Sequence, residues 1–138
     1  MIQFFMPMKP PTVTHQEKQV RVVKGRDGKS RPVFYEPAEL KRARVLLRDN
    51  LARHTPEKPM HGPVRLVVKW CFPKGRHPAG AYKDTKPDTD NLQKLLKDVM
   101  TELGYWNDDA QVCSEITEKF WAELPGILVH VEELEGQK

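Results

Sequence analysis

Two acidic pairs bracket one amphipathic stretch of this chain. Asp88 and Asp90 sit in Lys86-Pro87-Asp88-Thr89-Asp90-Asn91, and Asp108-Asp109 follow Gly104-Tyr105-Trp106-Asn107. Lys94 lies four residues after Asp90. Proline keeps its own neighbourhood extended, so two side chains one residue apart there can point to the same side. Mg²⁺ is ordinarily held by one or two protein carboxylates plus waters and substrate phosphates. A third carboxylate brought from elsewhere in the fold would complete such a site. A lysine beside it could bind a phosphate or stabilise charge in a transition state. These residue types point to metal-assisted chemistry at a phosphodiester.

Each residue also has a purely structural use. With Asp90 as N-cap, Gln93 falls at N3, which is a capping-box pattern. Lys94 is placed for a weak i,i+4 ion pair with Asp90. Asp108 and Asp109 lie beyond the far end of a helix of about 14 residues, roughly 20 Å long. The chain must therefore return across a sheet to bring that pair back to Asp88 and Asp90.

The helix between the acids is predicted from about Asp90 to Leu103. Leu92, Leu95, Leu96, Val99, Met100 and Leu103 keep the i, i+3, i+4, i+7 spacing of a core-facing stripe. Gly104 is its stop. Before it, Val64–Phe72 is rich in β-branched and aromatic residues and is expected near the middle of a sheet. Pro73–Pro87 breaks all periodicity and reads as a mobile loop beside the site, ordered by DNA, with Lys74, Arg76, Lys83 and Lys86 as its DNA-contacting residues. After the helix, Gln111–Trp121 and Ile127–Glu133 are the last two strands, with a turn at Leu124-Pro125-Gly126.

Toward the N-terminus, Ile2–Met6 is a first strand stopped by prolines, and Thr12–Gln16 is loop. Gln19–Val23 and Pro32–Tyr35 form a hairpin around Asp27-Gly28, with Lys24, Arg26, Lys29 and Arg31 crowding its tip. Pro37 fits the first turn of a helix running to about Arg53, with Leu40, Ala43, Leu47 and Leu51 as its apolar stripe. The order β-β-β-α-β-α-β-β predicts an α/β or α+β fold, a small mixed sheet carrying two main helices, in one domain spanning residues 1–138.

Charge is strongly segregated. Residues 1–87 hold 19 Lys+Arg against 7 Asp+Glu, a net of +12, and residues 88–138 hold 4 against 12, a net of −8. The basic part suits a polyanion such as nucleic acid, and the acidic part would repel one unless cations sat among its carboxylates. No run approaches the roughly 20 apolar residues that cross a membrane, and the first residues lack the basic start of a signal peptide. Cys71 and Cys113 lack metal-ligand spacing and are expected reduced and buried or half-buried, which fits a cytoplasmic protein without membrane contact. His15, His54, His61, His77 and His130 are scattered surface or loop residues with no zinc pair on one helix face.

The string Lys86-Pro87-Asp88-Thr89-Asp90-Asn91-Leu92, then Lys94, then Gly104-Tyr105-Trp106-Asn107-Asp108-Asp109-Ala110-Gln111-Val112 resembles the RusA family of Holliday-junction resolvases. That family shows a D-x-D-N-x-x-K segment, a helix, and a G-[aromatic]-[aromatic]-x-D-D-x-Q-V segment. The resemblance implies a RusA-like homodimer with a mixed sheet. It implies a Mg²⁺-dependent endodeoxyribonuclease, with Mn²⁺ as a substitute ion, that resolves four-way DNA junctions by paired symmetric nicks. The setting implied is DNA recombination and repair, typically in a phage or prophage. Carried over by motif position, Asp88, Asp90 and Asp109 are the metal-binding acids, Asp108 a supporting acid and Lys94 the essential lysine. Asn91 matches a motif position and is given only helix-start positioning.

Two other functions are compatible with parts of the pattern. A non-catalytic junction-binding module would use the basic surface without cutting. A sugar-nucleotide transferase would use Asp88-x-Asp90 as a metal-diphosphate site, although D-x-D is common and the chain is short for such a fold.

Overall fold

The computed structural model describes residues 1–14, 19–35 and 37–135. His15 and Gln16, the end of the expected first loop, lie outside the described residues, as do residues 136–138. The element order is β1 (Ile2–Pro7), β2 (Gln19–Lys24), β3 (Ser30–Tyr35), α1 (Ala38–Ala52), β4 (Val64–Pro73), α2 (Thr89–Leu103), β5 (Val112–Ala122) and β6 (Gly126–Glu133). This is the order the sequence predicts. The fold is α+β, with a four-stranded mixed sheet in the order β1-β6-β4-β5 and a separate two-stranded sheet, β2-β3.

The apolar run Val64–Phe72 lies in the middle of the large sheet, as its composition predicts. β4 pairs antiparallel with β6 and parallel with β5, and β6 pairs antiparallel with β1. A parallel neighbour requires a crossover, and α2 supplies it between β4 and β5. Alternate residues of β4 (Val64, Leu66, Val68, Trp70 and Phe72) are buried, so one face of the sheet carries the core. The α2 stripe Leu92, Leu95, Leu96, Val99 and Met100 and the α1 residues Leu40, Leu47 and Leu51 belong to the same core cluster. Ala43, the fourth residue of the α1 stripe, is half-buried.

Two glycines have specific work. Gly104 ends α2 in the left-handed region at φ 89°, where a side chain is strained. Gly126 opens β6 so close to β1 that an added Cβ would lie 2.0 Å from Phe5 Cζ and 2.7 Å from the Met6 carbonyl oxygen.

The β2-β3 hairpin turns through Gly28 at φ 77°, and the Asp27 carboxylate accepts from the Lys29 amide at 3.0 Å. Lys24, Arg26 and Lys29 are exposed there. Cys71 is half-buried and Cys113 exposed, and neither is in a disulfide. Burial pushes the Cys71 thiol up from its ordinary value, with Lys69 opposing. Among the described residues no helix is long and apolar enough to cross a membrane.

Candidate active site

The first acidic pair opens α2. The helix begins at Thr89, one residue earlier than the sequence predicts, with Asp88 rather than Asp90 in the N-cap position, and Asp88 makes no side-chain capping bond. The expected Asp90–Gln93 capping box does not form. Gln93 is turned into the protein, where it accepts from Trp70 Nε1 at 3.0 Å. The Trp70 ring is fully buried, and its N–H needs an acceptor there. Asp90 accepts only from its neighbour, the Asn91 amide, at 3.0 Å among described hydrogen bonds. Both aspartates are exposed, beside a cleft of about 380 Å³ that Thr12, Thr14, Lys86 and Asn91 also line.

Asp90 also borders a second groove, about 500 Å³, between the polar face of α2 and β5, which Lys94, Lys97, Glu115 and Thr117 line. Lys94 does not pair with Asp90. Its Nζ sits 3.3 Å from Asp98, one turn further along the helix. Glu115, on the edge strand, accepts from Gln93 at 2.8 Å and from Lys97 at 3.1 Å.

The second pair occupies the other end of α2. Tyr105 and Trp106, just past Gly104, are core anchors. The Tyr105 hydroxyl donates to the Leu51 carbonyl at the end of α1, and Trp106 Nε1 donates to Thr101 at 2.7 Å. Asp109–Gln111 then form one turn of 3₁₀ helix. Here a capping box does form: Asp108 accepts from the Ala110 amide at 2.9 Å, and the Gln111 side chain accepts from the Asn107 and Asp108 amides at 2.8 and 3.0 Å. Gln111 also donates to the carbonyls of Met60 and Gly62, tying the turn to the chain entering β4. The Ala110 amide, and next a hydrogen bond from Asp109, hold the Asp108 carboxyl below the ordinary aspartate value. Asp108 thus supports the turn that places Asp109.

Within one chain the two pairs stay apart. Among the described residues no three His, Cys, Asp or Glu side chains gather closely enough to hold a metal ion. Asp88 and Asp90 on their own match the donor set that Mg²⁺ takes, one or two carboxylates completed by water and phosphate.

The four basic residues expected to meet DNA part company. Lys74 is half-buried, and Arg76 and Lys86 are exposed. Lys83 is only 8% exposed. Its Nζ lies 4.5 Å from the Trp121 ring centre and 5.2 Å from that of Phe72, and it donates to the Thr85 hydroxyl. Burial, and then the nearby Lys119 charge, pull the Lys83 ammonium below its ordinary value. Lys83, expected as a DNA contact, thus holds its own segment together.

The segment itself is fastened down, where the sequence predicts mobility. Lys74 N–H donates to Ala122 O, Gly80 to Trp121 O, Trp121 to Ala81 O and Lys83 to Lys119 O, at 2.8–3.1 Å. His77 stacks on Trp121 at 4.0 Å and Tyr82 on Phe120 at 4.9 Å. The cause is the sheet order. β5 is an edge strand, and the segment satisfies the backbone groups of its second half.

Sequence reasoning misses Gln93, Glu115 and Lys119. The strand alternation offered one signal for the last two. Glu115 and Lys119 share a register face with Leu66 and Trp70 of β4, and so point toward α2.

The family model described as Endodeoxyribonuclease RusA matches residues 7–132. An uncharacterized protein of Bacillus subtilis (strain 168), YqaN, is 31% identical over 111 residues, covering 72% of this chain and 78% of that protein. The crossover junction endodeoxyribonuclease rusA of Lactococcus phage r1t is 32% identical over 107 residues, covering 75% of this chain and 76% of the phage protein.

Proposed function

Because the chain belongs to the endodeoxyribonuclease RusA family, we propose that it is a Mg²⁺-dependent nuclease that resolves four-way DNA junctions by paired symmetric nicks, as a homodimer, in recombination and repair. The observation that carries this is at the start of α2. Asp88 holds the N-cap position without capping, and Gln93 serves Trp70 rather than Asp90. Two exposed carboxylates therefore stand at a helix N-terminus, Asp88 with no part in capping that helix and Asp90 accepting only from the adjacent Asn91 amide among described hydrogen bonds.

Asp88 and Asp90 would hold the ion. When bound, it polarises the scissile phosphate and lowers the pKa of the attacking water. Lys94, 59% exposed on its side chain, is free to swing from Asp98 to a phosphate oxygen and offset the charge that builds there. Water attacks phosphorus in line, the bond to the 3′ oxygen breaks, and a 3′-hydroxyl leaves. Lys86 lines the cleft beside the acids, and it, Arg76 and Lys74 would guide the backbone in.

Asp109 is the acid that one chain cannot bring to this place. α2 has 15 residues and so spans roughly 22 Å. A second copy would supply Asp109 to the first copy's Asp88 and Asp90, and the reverse, giving two equivalent sites for paired nicks.

The test compares four-way, Y-shaped and linear DNA at equal concentration with Mg²⁺. Four-way junctions should be nicked in pairs, and EDTA should stop the reaction. Equal cutting of all three substrates would leave a general nuclease, and tight junction binding without nicks would leave a binding module.

A further inference from the structure

Lys119 holds the chain just ahead of the first acidic pair. Its Nζ donates to two backbone carbonyls of one short segment, Thr85 O at 2.6 Å and Pro87 O at 2.8 Å. Pro87 immediately precedes Asp88. The Lys119 backbone grips the same segment, since its carbonyl accepts from Lys83 N–H at 3.0 Å. Lys83 in turn donates from its side chain to the Thr85 hydroxyl. One residue of β5 thus fixes the path of the chain up to the first ligand position.

The chemistry calls for an ammonium. Two carbonyls converge on one point, and a charged donor bonds both more strongly than a neutral one would. Pro87 is buried and offers no N–H of its own, so the segment cannot fasten itself through that residue. A free stretch before Asp88 would let its carboxylate and that of Asp90 point apart.

We propose that Lys119 is a positioning residue, clamping residues 85–87 to β5 so that Asp88 and Asp90 face one ion. This rests on reading those two aspartates as metal ligands. Partners that orient metal ligands typically govern affinity by about 10–100-fold.

Two measurements on the full chain separate the clamp from that underlying reading. The first is the NMR order of backbone amides at residues 85 and 88–91 in metal-free protein. In Lys119→Met it should fall from about 0.85 toward 0.6, with β4 unchanged. The second is Mn²⁺ binding followed by electron paramagnetic resonance. The same variant should bind roughly 10–100-fold more weakly, while Lys119→Arg, which keeps two donors, stays within a few-fold of the parent. Lys119→Gln takes the place of the methionine variant if that protein does not fold, with the same expected direction. Unchanged order in the neutral variant overturns the clamp, and loosening without weaker Mn²⁺ binding overturns its role for the ligands. If the parent protein itself binds no Mn²⁺, the metal reading falls and the proposed role falls with it, whatever the order measurement shows of the contact.

Discussion

The Gln93 side chain donates to Glu115 at 2.8 Å while its carbonyl oxygen accepts from Trp70 at 3.0 Å. One amide thus joins the core indole to the polar floor of the groove that Asp90 and Lys94 border. Replacing Gln93 with leucine leaves a fully buried indole N–H without its acceptor. The expected loss is about 1–3 kcal/mol, read as a lower urea midpoint with an unchanged slope.

The proposed division of acids between two copies has a sharp genetic-style test. Asp88→Asn and Asp109→Asn proteins should each fail to cut. Mixed and allowed to exchange subunits, they should recover nicking, because one of the two shared sites in the mixed dimer keeps every acid. That dimer should nick one strand only. If each site is built within a single chain, mixing restores nothing.

Asp108 and Asp109 should separate structure from chemistry. Asp108→Ala removes the cap of the 3₁₀ turn and should lower the urea midpoint, whereas Asp109→Asn should fold normally and not cut. The lowered Asp108 value fixes the sign of its pH effect. Its contribution is fully present above the unfolded aspartate range and disappears only as pH falls through the depressed folded value. Carboxyl NMR should find Asp108 titrating below the ordinary aspartate value, with no change in its turn from pH 5 to 8.

Tyr105 sets the alkaline limit. Burial raises its phenol to about 12, with a hydrogen bond from Thr55 opposing. The folded value lies above the unfolded one, so the stabilisation is complete below about pH 10 and is lost as pH rises toward 12. The part at stake is roughly 3 kcal/mol. Spectrophotometric titration should show one tyrosine ionising late, together with the onset of unfolding, and Tyr105→Phe should remove that late phase.

Much of the frame was legible because it rests on periodicity. The α2 stripe needs only the 3.6-residue repeat, and the composition of Val64–Phe72 is enough to place it mid-sheet. What was hidden depends on competition between distant partners. Asp90 and Gln93 have capping spacing, but Trp70, 23 residues before Gln93, claims the amide. Lys83 reads as a surface cation until Phe72 and Trp121 enclose it. Pro73–Pro87 has the composition of a free loop, and only the position of β5 at the sheet edge gives its backbone a reason to settle. The acidic pair at Asp108-Asp109 shows the reverse case: its capping box with Gln111 is written locally, within four residues.

Ile2 faces Val131 across the β1–β6 ladder, and Pro7 faces Gly126. Such pairing has high contact order, and the loop-closure entropy it costs slows the search for the native register. The unit β4-α2-β5 is contiguous and can gather early. During synthesis, β1 is made before β6 and has no ladder until β6 leaves the ribosome. Until then the nascent chain carries an unpaired apolar strand, Ile-Gln-Phe-Phe-Met, and this is the segment that chaperones would have to shield.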